Sequence, residues 1–302
     1  MSIIKSLSVG NGDLFYIKHA SDNFTIIDCC IPSEREDEII TELLDASNDK
    51  GIKRFISTHP DEDHIRGIEH IDDNGLGWNF YCVENNVEKE DETPSFKRYK
   101  TLRNHSERSY HIYKGCQRRW MNKSSEERGR AGINILWPDT HNAAFLEQLK
   151  KAEQCGEPNN ISPIIKYSLE NGVVAIWMGD LEADFMNQVI DEVDLPKTDI
   201  LFAPHHGRKS GFVPKAWLEK MNPRVVVVGE APSENLNYYS EYNTITQNRA
   251  GDIEFDCSTG TVDVRVSSPS YTTDFLQNKS KLNRQTVNGD VLRYIGSFST
   301  WE

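Results

Sequence analysis

Directly after the apolar run Arg54–Thr58, the chain reads His59-Pro60-Asp61-Glu62-Asp63-His64. Imidazole nitrogen and carboxylate oxygen are the donors that hard to borderline divalent metals take. Alternate residues of an extended segment point the same way, so His59 and Asp61 are expected to share one ion. Asp63 and His64 would then turn toward a second. An acidic loop with a stray histidine is the plain alternative, and this loop alone does not exclude it.

Two further strand ends do most to exclude it. The run Val173–Met178 ends in Gly179-Asp180, and Asp199–Ala203 ends in Pro204-His205-His206-Gly207. Taken singly, Asp180 would be a helix N-cap before Leu181–Val193, and His205-His206 a satisfied histidine pair. Three strands that each deliver metal-type residues at their carboxyl ends instead predict one convergent site at a sheet edge.

The frame around these motifs is mixed. Ile3–Val9 and Leu14–Ile17 read as strands separated by Gly10-Asn11-Gly12-Asp13, and Phe24–Cys29 as a third. Ser33-x-x-Glu36 has capping-box spacing, and Ile39, Ile40, Leu43 and Leu44 mark one face of the helix it would open. The first third is therefore β-β-β-α-β. The second half repeats strand and helix, and the last 60 residues break into short strand-like pieces. Two such layers facing each other predict an α/β fold, an αββα sandwich, read as a single domain over residues 1–302.

Composition limits the function. Hydrophobic residues make up 37% of the 302, enough for a globular core. A net charge of −13 opposes sequence-independent nucleic-acid binding across the whole surface. The first ten residues lack a signal-peptide pattern and the apolar runs are strand-sized, so a cytoplasmic protein without a membrane span is expected. The six cysteines show no C-x-x-C spacing and are expected to be reduced and structural. One stretch stands apart: Lys97–Arg130 holds eleven Lys/Arg and three acids, 11 − 3 = +8. Tyr99, Tyr110, Tyr113 and Trp120 are interleaved with them, and a basic insertion at about 84–132 is expected to decorate the site. Its aromatics and cations, Arg118 and Arg119 among them, suit phosphates and stacked bases. A solvated basic surface paired with the acidic remainder is the other reading.

With these residues in hand, the chain resembles the metallo-β-lactamase superfamily, whose signature is H-x-H-x-D-H. It is most similar to the metallo-β-lactamase domain of ComEC-type DNA-uptake channel proteins and their soluble relatives. The matching pieces run in order over roughly residues 3 to 265: Val9-Gly10-Asn11-Gly12-Asp13, Ile27-Asp28, His59–His64, Asn159-Asn160-Ile161-Ser162, Met178-Gly179-Asp180, His205-His206-Gly207 and Thr246-x-x-x-x-Gly251. The H-P-D-x-D-H and H-H-G pieces are specific.

The resemblance implies two divalent ions, zinc or manganese. His59 and Asp61 would hold the first, Asp63 and His64 the second. Asp180 would bridge them, and His206 would complete the second site. His205 would face the substrate, and Asp63 would also orient or deprotonate the nucleophile. Asp13 and Asp28 are expected to be structural turn residues. Three departures carry consequences. The usual third ligand of the first metal, a histidine, has no clear equivalent; Asn160 is the nearest candidate, with His111 and His141 beyond it. Gly207 is followed by Arg208-Lys209-Ser210, two cations that favour an anionic substrate. The channel part of the uptake proteins is absent, so transport is not implied.

The implied chemistry is hydrolysis by a metal-activated hydroxide. The leading expectation is a phosphodiesterase or nuclease acting on DNA, RNA or a nucleotide. A carboxylic ester, lactone or thioester hydrolase would instead need an apolar pocket. A non-catalytic regulatory protein with a degraded metal site would bind little metal.

Overall fold

The computed structural model describes residues 1–231 and 233–301. Among them, sixteen strands form two sheets. The first ten strands in chain order are β1 (Ser2–Ser6), β2 (Phe15–Lys18), β3 (Asn23–Ile27), β4 (Ile52–Ile56), β5 (Asn79–Cys82), β6 (Ser109–His111), β7 (Ile133–Trp137), β8 (Ile164–Ser168), β9 (Val174–Trp177) and β10 (Ile200–Phe202). Then come β11 (Val225–Val228), β12 (Thr244–Thr246), β13 (Ile253–Ser258), β14 (Thr261–Val266), β15 (Arg284–Gln285) and β16 (Val291–Ser299). The larger sheet has the order β15-β16-β14-β13-β1-β2-β3-β4-β5-β6, and the smaller the order β12-β11-β10-β9-β8-β7.

Side-chain alternation explains the layering. Phe15 of β2 points across to the smaller sheet, meeting Trp177 and Phe202 with ring centroids 6.2 and 4.9 Å away. Phe255 of β13 also reaches Phe202 from the larger sheet. The next residue along β2, Tyr16, points the other way and donates its hydroxyl to Glu42 of α1 (Glu36–Ser47). One face of each strand thus fills the core between the sheets and the other meets a helix. On the smaller sheet, Trp137 packs against Phe145 of the helix Ala143–Cys155 and Phe185 of the helix Ala183–Gln188. All four valines of β11 are buried, as a strand covered on both faces requires. This is the expected αββα sandwich. Among the described residues, no helix is long and apolar enough to cross a membrane.

Parallel pairing places the site. β3, β4, β5 and β6 are mutually parallel neighbours, as are β9, β10, β11 and β12. Their carboxyl ends carry Asp28, His59, Asp180 and His205-His206, and they meet at one mouth of the sandwich. Gly179 lets the two sheets close there. A Cβ at this position would lie 2.6 Å from Ser162 Oγ and 2.8 Å from Thr58 Cβ.

Three expectations need correction. The segment Ser33–Arg35 is a 3-10 turn and Ser33 makes no capping bond; α1 starts at Glu36, burying Ile39 and Leu43 but leaving Leu44 exposed. The helix after Asp180 spans only Ala183–Gln188, so Asp180 is not its cap; Glu182 occupies that position. Residues 84–132 are not simply an appendage: they supply the helix Pro94–Arg103 and the edge strand β6 of the larger sheet. Cys29, Cys30, Cys82, Cys116 and Cys257 are buried free thiols, and Cys155 is exposed.

Candidate metal centre

Asp61 is the last extended residue before a single helical turn, Glu62–Ile65. The reversal turns Asp63 toward His206 and sets His64 beside His59, their ring centroids 4.1 Å apart. Across the mouth, His205, His206 and Gly207 form a turn in which all three have positive φ (52°, 55° and 87°). Consecutive non-glycine residues in this region are strained, and the strain aims both rings at Asp180.

Each histidine presents one nitrogen to the centre because its other nitrogen is held. His64 Nδ1 donates to Asp28 Oδ2 at 2.9 Å, leaving Nε2 3.1 Å from Asp180 Oδ1. His206 Nδ1 donates to Asp13 Oδ1 at 3.0 Å, leaving Nε2 3.3 Å from Asp63 Oδ2 and 3.9 Å from Asp180 Oδ2. For His59 the restraint is a relay. Thr58 Oγ1 donates to Asp28 Oδ2 at 2.7 Å, so that oxygen can only accept from His59 Nδ1 at 3.0 Å. Ser162 Oγ lies 3.2 Å from the same nitrogen. His59 Nε2 then faces Asp61 Oδ2 at 3.7 Å and Asp180 Oδ2 at 3.9 Å. Asp28 and Asp13, expected as turn residues, therefore orient the imidazoles.

The donor set fits divalent metal. Bonds of about 2.1 Å to one ion place neighbouring donors roughly 3 to 3.5 Å apart, close to the spacings here. His64, Asp180 and His206, with Asp13 behind His206, form a buried cluster whose candidate ligand atoms all lie within 4.8 Å of one another. His59 Nε2, His64 Nε2 and Asp180 Oδ1 are buried without a hydrogen-bond partner, a costly state that an ion would relieve.

Electrostatics express the same crowding. Burial is the largest influence on His206 and opposes its charge, but Asp13, Asp63 and Asp180 together outweigh it and push its pKa up to about 10. Burial likewise opposes the His64 charge, and Asp180 and Asp28 raise its pKa well above the usual imidazole value. His59 moves the other way, lowered to about 4 by burial and by neighbouring His64. Asp180 is held well below the usual carboxylate range: burial opposes this, but His64, His206 and His59 prevail.

The structure thus brings His59, Asp61, Asp63, His64, Asp180, His205 and His206 together. His205 stands at the open side, its Nδ1 2.9 Å from Ser210 Oγ and its Nε2 3.5 Å from Asp180 Oδ2. Arg208, pinned by Asn11, and exposed Lys209 follow on the rim. Asn160 is not a third ligand of the first ion: its Nδ2 donates to Glu182 and Gln148, and its Oδ1 accepts from the Glu182 backbone. His111 pairs with Glu84, and exposed His141 packs near Asp139, both away from the group. Arg118 and Arg119 are also elsewhere. They stack on Tyr110 and Trp120, while Arg130 and Arg128 further along the loop reach Ser21 and Asp22. Much of the basic stretch is spent internally: Arg98 and Arg108 on Asp72, Lys100 and Arg103 on Glu88, Arg128 on Asp22.

Thr58, Ser162 and Lys89 were missed from sequence. Thr58 and Ser162 sit inside the quoted motifs, but a hydroxyl beside a histidine carries no signal of its own. Lys89 Nζ lies 2.8 Å from Asp61 Oδ1, and nothing in its spacing marks it.

No family model matches the sequence, and no curated protein matches it. Among solved structures, the chain is similar to Igni18, a novel metallo hydrolase from the hyperthermophilic archaeon Ignicoccus hospitalis KIN4/I. The two are 14% identical; the match covers 84% of this chain and 99% of that one, with a TM-score of 0.47.

Proposed function

We propose that this protein is a metal-dependent hydrolase acting on a phosphodiester. The observation that carries the hydrolase reading is the set of three anchored imidazoles whose free nitrogens meet Asp61, Asp63 and Asp180 at one buried point. His59, Asp61 and Asp180 would hold one divalent ion, zinc or manganese; Asp63, His64, Asp180 and His206 would hold a second. Bound there, such ions lower the pKa of a water and neutralise charge on the attacked group. Asp63, partly exposed, orients the attacking water. His205, fixed by Ser210, stabilises the developing oxyanion or gives a proton to the leaving oxygen.

Two features favour phosphodiester over ester or lactone. Arg208 and Lys209 offer cations on the His205 side of the mouth. On the Asp61 side lies a hollow of about 630 Å³, lined by polar residues including Gln148, Lys151, Asn160, Glu182 and Asp184 rather than by an apolar wall. Its carboxylate and amide oxygens suit a hydroxyl-bearing group, so the phosphate is placed toward Arg208 and Lys209.

The test compares the purified chain with Asp63→Ala. Bound metal is measured, and both are incubated with single- and double-stranded DNA, RNA and a generic phosphodiester in Mn²⁺ or Zn²⁺. Cleavage by the wild type near two metals per chain, lost in the variant, is expected. Metal binding without phosphodiester cleavage would move ester and lactone substrates to the front. Little metal and no turnover would leave a binding protein.

A further inference from the structure

The far nitrogens of His59, His64 and His206 are held by neutral or acidic partners, whereas the far oxygen of Asp61 is held by a cation. Asp61 Oδ2 turns toward His59 Nε2 at 3.7 Å, while its Oδ1 accepts from Lys89 Nζ at 2.8 Å. Lys89 comes from outside the motifs, on the segment between β5 and the helix Pro94–Arg103. That segment is fixed in place. Thr93 donates its hydroxyl to Glu62, and Asn86 donates its backbone N–H to Glu153 at 2.8 Å. The ammonium also lies 5.2 Å from the Phe96 ring centroid, a second stabilising contact. Less than a quarter of the Lys89 side chain is exposed, so water screens its charge only in part.

We propose that Lys89 is a built-in counter-cation that makes the two metal positions unequal. The proposal rests on the metal centre described above. His59, Asp61 and Asp180 already form a sparse donor set, since Asn160 is spent on Glu182 and Gln148. A positive charge bonded to one of these three donors withdraws electron density from it and repels a cation placed against its other oxygen. Among the described residues no lysine or arginine pairs with a donor of the second position, and its imidazoles are backed by Asp28 and Asp13, both acidic. One ion is held firmly and the other weakly. Lys89 is thus a positioning residue for Asp61 whose charge sets the affinity of the first position. Occupancy of that position would follow the metal supply.

Two opposite effects follow from a lysine in this place. If its charge dominates, removing it tightens the first position. If it serves only to orient Asp61, removing it weakens that position, as loss of an outer hydrogen bond to a ligand does by about 10- to 100-fold. The distance of 2.8 Å and the partial burial favour the charge.

The experiment is a Mn²⁺ titration of metal-stripped protein, reading free Mn²⁺ by electron paramagnetic resonance. It compares the wild type with Lys89→Met and Lys89→Arg, with circular dichroism to confirm folding. The wild type is expected to show one tight step and a second at least ten-fold weaker. Lys89→Met should tighten the weak step about ten-fold or more and leave the tight step unchanged. Lys89→Arg should keep the wild-type pattern. A weak step that is unchanged or weaker in Lys89→Met overturns the proposal, as do two equal steps in the wild type. These results leave the hydrolase reading standing. Absence of any metal uptake in all three proteins would sink the metal centre, and with it both this proposal and the proposed function.

Discussion

At the scale of single residues, the centre is governed by protons as much as by metal. In the metal-free protein His206 titrates at about 10 and His64 well above the usual imidazole value, so both are protonated at pH 7. His59, lowered to about 4, is already neutral. A metal must displace the protons of His64 and His206, so its affinity rises with pH. Calorimetric titration at pH 7 in buffers of different ionisation heat should show release of about two protons as the centre fills. No release would contradict the assignment of His64 and His206 as ligands. The same shifts bear on stability without metal. A folded pKa above the unfolded value stabilises fully below about pH 6.5 and is lost as pH rises through the folded pKa. With chelator present, the melting temperature should therefore fall between about pH 7 and 10. Asp28 gives a second prediction. In Asp28→Asn an amide N–H facing His64 Nδ1 forces the proton onto Nε2, the atom that must bind metal. Metal affinity should drop about 10- to 100-fold while circular dichroism is unchanged; an unaltered dissociation constant would make Asp28 merely structural.

At the scale of elements, strand ends carry the design, and this part was legible. The H-P-D-x-D-H run, the Gly-Asp end and the His-His-Gly end each follow an apolar run short enough to be a strand, so their convergence is legible in the sequence alone. The restraints were not legible, because they join residues far apart in sequence: Asp13 to His206, Asp28 to His64, Lys89 to Asp61. A turn aspartate that caps its own loop and one that reaches across the sandwich look the same in sequence. Helix ends were equally opaque, since Glu182 is engaged by Asn160 and starts its helix two residues beyond Asp180. Gly179 shows what the element boundary must satisfy. Its φ of +50° suits glycine, and an added methyl would strike Ser162 and Thr58, which restrain His59. Gly179→Ala should cost about 2 kcal/mol or more, from the left-handed backbone and overpacking together, read as a lower urea midpoint. It should also weaken metal binding, because the clash falls on the His59 restraints. A variant as stable as the wild type would mean that the two sheets do not close this tightly.

At the scale of the whole molecule, charge decides where a substrate can approach. The chain carries −13 overall, and its one basic stretch is +8. Read from sequence, that stretch invites a nucleic-acid strand. In the fold, Arg98, Arg103, Arg108 and Arg128 are turned onto carboxylates, and Arg118 and Arg119 are stacked on Tyr110 and Trp120. Sequence shows how many charges a segment holds but not which are already neutralised by folding. The cations proposed to meet the substrate are Arg208 and Lys209, beside His205. The double variants Arg118→Ala/Arg119→Ala and Arg208→Ala/Lys209→Ala separate the two surfaces. The first should keep kcat/KM for a phosphodiester within about two-fold, with an unchanged salt dependence. The second should raise KM about ten-fold and flatten the salt dependence, because two charges that attract the substrate are gone. If the first pair instead controls KM, the substrate must reach from the mouth to the loop that carries Arg118 and Arg119. The substrate would then be a polymer gripped across the sandwich rather than a group held at its mouth.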